Sequence, residues 1–190
     1  MSDTFLLLGQ SKKLVPPAEG FSLKHTYVAE VIRLIRKLND SSRAGVSCIS
    51  TRIFKACADE LAPSLVKLFN FCIDHSCQPD EWKFAFVHPL YKGKRAVDDR
   101  DNYRGISIFP PISKVFERVV ASQITCYFEN NSLFFGEQHG FRPIHSCETA
   151  LQSILDVWKK SLDYHQVVMS LYVDFKKAFD LINSDLHFHK

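Results

Sequence analysis

Apolar positions return every three or four residues over several stretches of this chain, and in two places they run together. Between Tyr27 and Asn39, residues Val28, Val31, Ile32, Ile35 and Leu38 fall on one helical face, with Thr26 as a candidate cap. Asp40-Ser41-Ser42 interrupts that period, and Gly45 lies in the loop that follows. A second helix is predicted from Ser50 to about Leu61, with Ile53, Phe54, Cys57 and Ala58 on one side. Proline is tolerated in a first helical turn, so Pro63 is expected to open a third helix carrying Leu65, Val66, Leu68, Phe69, Cys72 and Ile73.

The texture changes at Phe84. Phe84 to Tyr91 reads as a strand, which Pro89 confines to an edge or a strand end. Lys92 to Tyr103 is a charge-dense loop, and Arg104 to Phe109 is the returning strand of a hairpin. Pro110-Pro111 ends it, after which Ile112, Val115, Phe116, Val119, Val120, Ile124 and Phe128 mark a long amphipathic helix to about Glu129. Asn130-Asn131-Ser132 breaks the chain and Gly136 to Pro143 is a loop. Ser146 is placed to cap a helix through Leu162, with Ala150, Leu151, Ile154, Leu155 and Trp158 inward. Val167 to Val173 is apolar on both faces, as a central strand of a covered sheet is, and it ends in Asp174. Residues 1–26 are an irregular lead-in. Helices, hairpin, helices and a strand in this order predict an α+β fold.

Composition narrows the classes. Of 190 residues, 46% are hydrophobic and 24% charged, which excludes a disordered tail or a collagenous fibre. The 24 Lys and Arg against 21 Asp and Glu leave a net charge of +3, which permits nucleic-acid binding without requiring it. Phe5-Leu6-Leu7-Leu8 is too short for a signal-peptide core and follows Asp3, where basic residues belong. No apolar run approaches the roughly 18 residues of a membrane span. Six cysteines without a CxxC pair read as reduced thiols, so an intracellular site, nuclear or cytoplasmic, is expected.

Among candidate chemical residues, Asp174 is the sharpest position. A carboxylate at a strand end can ligate Mg²⁺, which prefers few protein carboxylates plus substrate phosphates; it can equally cap a following helix. Arg104, at the base of the hairpin, can grip a triphosphate bidentately or pair with the neighbouring aspartates. Arg142, beside Gly140, offers a second phosphate contact or simply belongs to a loop before a helix. Cys72, His75 and Cys77, with His187 and His189, hold too few ligands at poor spacing for zinc, and Cys72 continues an apolar helix face.

Taken in order, several blocks carry a resemblance. Asn102-Tyr-Arg-Gly-Ile-Ser-Ile-Phe-Pro-Pro-Ile-Ser-Lys-Val-Phe-Glu-Arg118, Gln138-His-Gly-Phe-Arg-Pro-Ile-His-Ser146 and Leu171-Tyr-Val-Asp-Phe-Lys-Lys-Ala-Phe-Asp180 resemble the reverse transcriptases of non-LTR (LINE-like) retrotransposons. Ser42 to Ile49 and Pro79 to Lys92 match the family's lead-in, so the resemblance runs from Val28 to Lys190. It implies that residues 27–190 are a partial reverse transcriptase domain, the fingers and first palm strand of a right-handed polymerase. RNA or DNA template-primer and dNTP are the implied partners. By the same resemblance Asp174 and the Phe175 carbonyl would ligate Mg²⁺, and Phe179 would lie under the incoming sugar. Arg104 would contact the triphosphate, Lys92 and Lys94 would sit on the fingers, and Arg142 would touch template or nucleotide. The sequence departs from the family at Gly105 (usually Pro), Ile144 (Gly), Cys147 (Thr) and Ser47 (Asp). The family's second metal-binding pair belongs downstream of Lys190, so the chain is expected to be catalytically incomplete; a co-opted nucleic-acid-binding or protein-interaction module is the alternative.

Overall fold

The computed structural model describes residues 20–40, 44–93 and 97–174. The chain divides into two compact units, one ending at Phe134 and the other beginning at Phe135. In the first, α1 (Val28–Arg36), α2 (Thr51–Ala56) and α3 (Ala58–Asp74) precede a hairpin of β1 (Phe86–Tyr91) and β2 (Tyr103–Ile108), and α4 (Pro111–Asn130) follows it. The second unit contains α5 (Cys147–Asp163) and irregular segments on either side. The fold is mixed α and β, as expected, with a single two-stranded sheet among the described residues.

The core of the first unit lies where α1, α3 and α4 meet. Val31 and Ile35 of α1, Phe69 of α3, and Val115 and Val119 of α4 are fully buried there. The apolar stripe of each helix supplies these positions, and burial of a large aliphatic or aromatic side chain stabilises by about 1.5–3 kcal/mol. Three rings close one end: Phe69 meets Trp82 edge-on at 5.8 Å and Phe116 at 5.2 Å, and Trp82 meets Phe116 at 5.5 Å. Ser113, buried on the same stripe, donates its hydroxyl to the Trp82 carbonyl (3.2 Å) and to Glu117 Oε1 (3.1 Å). At the other end of α4 the Gln123 amide bonds both backbone groups of Lys24, at 2.7 and 2.9 Å. Lys55 Nζ binds the Leu38 carbonyl after α1 and Asp40 Oδ1 (2.6 Å), and this holds the Asp40 carboxyl below the usual aspartate range.

Several sequence expectations are corrected. The first helix spans Val28–Arg36 and its N-cap is Tyr27; Thr26 instead donates its hydroxyl to Glu30 and its N–H to Asn70. The single helix expected from Ser50 to Leu61 is broken at Cys57 (φ −97, ψ 21), so α2 ends there and α3 begins at Ala58. Ser50 caps α2 through Ile53 N–H, but Ile53 is itself exposed. Pro63 therefore lies inside α3 rather than at its start. It removes one backbone donor near the helix entry, which burial of Ala58, Ala62 and Leu65 on either side outweighs. The hairpin and α4 lie within two residues of their expected bounds.

The second unit departs further. Ser146 caps α5 as expected, in a capping box with Thr149. However, α5 buries no residue, and Leu151, expected to face inward, is 56% exposed. Val167 to Val173 forms no strand: Val167 is 95% exposed and Met169 90%, with no sheet partner among the described residues. An apolar run needs neighbouring strands to become a covered strand, and the only described sheet is the β1–β2 pair.

Candidate nucleic-acid interface

The hairpin is set by antiparallel pairing of Phe86 with Ile108 through Tyr91 with Tyr103. Pro89 faces Gly105 in the ladder, so a residue without an N–H is opposed by one without a side chain. Every residue of β1 is exposed and β2 is half-buried only at its ends, so both faces of the hairpin meet solvent. Side chains paired across the ladder share a face. Phe86, His88 and Leu90 therefore lie with Arg104, Ile106 and Ile108.

The loop beyond the hairpin is closed by its own backbone. Lys92 N–H donates to the Asn102 carbonyl at 2.7 Å, and Lys92 Nζ to the Asp101 carbonyl at 2.7 Å. Asp99 Oδ1 accepts from Asp101 N–H, and Tyr103 Oη donates to the Val97 carbonyl. Asn102, from the Asn-Tyr-Arg block, is buried at the root of this loop. Arg104 is exposed on the ladder opposite Leu90, two residues from Asn102. Lys92 and Arg104 thus share the hairpin, Lys92 at its loop end with Nζ on the Asp101 carbonyl and Arg104 exposed on the ladder. Lys94 lies outside the described residues.

In the second unit Arg142 has a half-buried side chain. Its Nη1 donates to the carbonyls of Phe135 (3.1 Å) and Gln138 (3.2 Å), bracing the loop that leads to α5. His139 Nδ1 lies 2.8 Å from Thr149 Oγ1, and the His139 and His145 rings meet at 5.2 Å. The Gln138-to-Ser146 block therefore builds one loop and the cap of one helix. Asp174 is the last described residue and is exposed; Phe175 and Phe179 lie outside the described residues. Among the described residues, no three or more His, Cys, Asp or Glu come together as a cation needs. The donor set for Mg²⁺ is thus not assembled there, and Cys72, His75 and Cys77 form no zinc site; His187 and His189 lie outside the described residues.

Sequence reasoning placed Val115 and Phe116 on the apolar stripe of this helix but missed that Ser113 is buried with them. Ser113, Val115 and Phe116 are buried, and the spacing of Ser113 and Glu117 by one helical turn was the available signal.

No protein-family model matches the chain. It is 27% identical over 153 residues to the "Probable RNA-directed DNA polymerase from transposon X-element" of Drosophila melanogaster, covering 80% of this chain and 17% of that protein. It is 24% identical over 153 residues to the "RNA-directed DNA polymerase from mobile element jockey" of the same species, again 80% and 17%. A putative 115 kDa protein in a type-1 retrotransposable element of that fly is 30% identical over 167 residues, 87% of this chain and 15% of that protein. The chain spans less than a fifth of the length of these curated relatives. Over most of its own length it is similar to non-LTR retrotransposon polymerases, and it is a reverse-transcriptase-like segment. No described helix is long and apolar enough to cross a membrane.

Proposed function

We propose that this reverse-transcriptase-like chain is the template- and nucleotide-holding part of a right-handed polymerase, residues 27–190 forming its fingers and the start of its palm. The observation that carries the reading is the similarity itself, 22–30% identity over 80–90% of the chain. The hairpin supports it physically. A projecting two-stranded element with both faces in solvent can lie against an extended polyanion, and Lys92 and Arg104 put positive charge on it. A guanidinium meets phosphate oxygens with paired N–H donors, so Arg104 is assigned to the triphosphate or template backbone. Lys94, Arg142 and Phe179 are assigned to template or nucleotide by the same reading.

Polymer extension by this class of enzyme is attack of a primer hydroxyl on a nucleotide α-phosphate, with divalent cations stabilising the attacking and leaving oxygens. Asp174 and the Phe175 carbonyl are the assigned Mg²⁺ ligands. The described residues do not gather the rest of a donor set. The 190-residue polypeptide is expected to bind nucleic acid without extending a primer.

Fluorescence anisotropy with labelled single strands and template-primers tests this. A net charge of +3 places affinity in the non-specific range, about 10⁻⁴ to 10⁻⁶ M at physiological salt, falling steeply as added salt reduces the gain from releasing counterions. Arg104→Ala should weaken binding and flatten the salt slope by about one unit. Binding that ignores salt, or an unchanged Arg104→Ala, refutes the assignment. Primer extension abolished by Asp174→Ala would refute catalytic incompleteness.

A further inference from the structure

The C-terminus of α3 ends in a way that its sequence does not announce. Ser76 takes a left-handed conformation (φ 48). Its N–H donates to the Ile73 carbonyl (3.3 Å), while Cys77 N–H donates to the Cys72 carbonyl (3.1 Å). This pair of bonds is a Schellman motif, which brings the third residue from the helix end and the second residue beyond it side by side. In most proteins an apolar contact fills that place. Here both positions are cysteine, and the Cys77 N–H on the Cys72 carbonyl holds their two backbones together.

The two thiols differ in access. Cys72 is buried in the core cluster of the first unit, and Cys77 is exposed. His75 between them is turned away: its Nδ1 bonds the Phe71 carbonyl (2.9 Å) and its ring stacks on Phe71 at 4.0 Å.

We propose that Cys72 and Cys77 are a thiol–disulfide exchange pair, closing to an intramolecular disulfide when the protein meets a small-molecule disulfide. Cys77, as thiolate, attacks one sulfur of the small disulfide and expels the first small thiolate, leaving a mixed disulfide on Cys77. Cys72 then gives its proton to solvent and attacks Cys77 Sγ, expelling the second small thiolate. One Cys72–Cys77 bond forms, the small disulfide is reduced to two thiols, and the protein's two protons end on them. Burial and the neighbouring sulfur raise the Cys72 thiol above its usual range, which keeps it inert until Cys77 has captured the oxidant. The motif sets the two side chains next to each other, the close approach that a disulfide requires.

The test uses the full 190-residue chain, reduced and then exposed to oxidised glutathione, quenched in acid and alkylated. Cys72 and Cys77 share the tryptic peptide 68–83, between Lys67 and Lys83. In the wild-type chain this peptide should lose the mass of two hydrogens and carry no glutathione, whereas exposed Cys48, Cys57, Cys126 and Cys147 should retain glutathione adducts. In Cys72→Ala the adduct should persist on Cys77. In Cys77→Ser, a surface change that leaves the core intact, Cys72 should remain a free thiol in the native protein. Dithiothreitol should restore the two hydrogens. A persistent glutathione adduct on wild-type Cys77, or oxidation of Cys72 in Cys77→Ser at the wild-type rate, overturns the proposal.

Discussion

Gly45 is the position where a single methyl group should be felt most sharply. It has φ +66, and a Cβ built there would stand 2.8 Å from both the carbonyl carbon and oxygen of Phe109 and 2.9 Å from Pro110 N. Two costs therefore combine in Gly45→Ala. An L-residue in the left-handed region costs roughly 1–2 kcal/mol. Forcing a methyl into close-packed backbone costs about 1–3 kcal/mol, because no rotamer change can move Phe109 and Pro110 aside. The sum, ~2–5 kcal/mol, is a large share of a domain's roughly 5–15 kcal/mol. At ~2–4 °C per kcal/mol, Tm should fall by roughly 5–20 °C. Two further variants separate the terms. Gly93 also has positive φ (+73) but nothing within 4 Å, so Gly93→Ala should show the conformational cost alone. Asparagine tolerates the left-handed region, so Gly45→Asn should recover only that part and remain destabilised. Urea unfolding followed by circular dichroism reads all three. A Gly45→Ala variant within about 0.5 kcal/mol of wild type, or a Gly45→Asn variant equal to it, would mean that the loop does not rest on Phe109 and Pro110.

Other outcomes follow from the same geometry. Phe69→Ala removes the ring that touches both Trp82 and Phe116 and should cost about 3–5 kcal/mol by urea unfolding, with loss of near-ultraviolet ellipticity. Ser113→Ala leaves the Trp82 carbonyl without that donor and should cost roughly 1–3 kcal/mol, more than an exposed serine of α4 such as Ser122. The Asp40 carboxyl is held below 3.8 by the hydrogen bond and charge of Lys55, so its stabilisation is complete above 3.8 and lost as pH falls through the lower folded value; Lys55→Met should abolish that part of the acid transition, and salt should weaken it. Amides of 167–173, which have no sheet partner among the described residues, should exchange far faster than those of α4, and equal protection would show that the segment is paired.

The hairpin, α4 and α5 were legible because their start and stop signals are local: Pro110-Pro111 separates β2 from α4, and Ser146 with Thr149 forms a cap within one turn. The break at Cys57 was not, because nothing in Ala56-Cys57-Ala58 disfavours a helix; the interruption comes from packing Phe54 and Ala58 into one core. Pro63 misled for a related reason, since one lost donor is small against the apolar face around it. The run Val167–Val173 records that such a strand would be covered, but a strand's partners are not written in the strand itself. At the candidate site, Lys92 and Arg104 fall together on the hairpin because register places them there. The bracing of Arg142 was invisible, because its acceptors are main-chain carbonyls, which every residue type carries. Ser113 sat in plain view as a small polar residue on the apolar stripe of Ile112, Val115, Phe116 and Val119, and that mismatch with the stripe is the sign of a buried hydrogen bond.

The Gln123 amide sets an order of events during synthesis. Its two bonds to Lys24 join residues 99 apart in the sequence, so the segment between them is tied into a ring that only α4 can close. Loop closure grows costlier as the logarithm of length, so this tie cannot form early and has to be supported by contacts already made. Helices α1, α2 and α3 are adjacent in sequence and can pack as they emerge. At ~5–20 residues per second, the ribosome takes roughly 5–20 s to deliver Gln123 after Lys24. In the later part of that interval, between Trp82 and Val115, the nascent chain has α1 and α3 but lacks Val115, Phe116 and Val119, so Phe69 and Trp82 wait with one wall of their pocket missing. The first unit is thus assembled from its N-terminal helices and sealed last by α4.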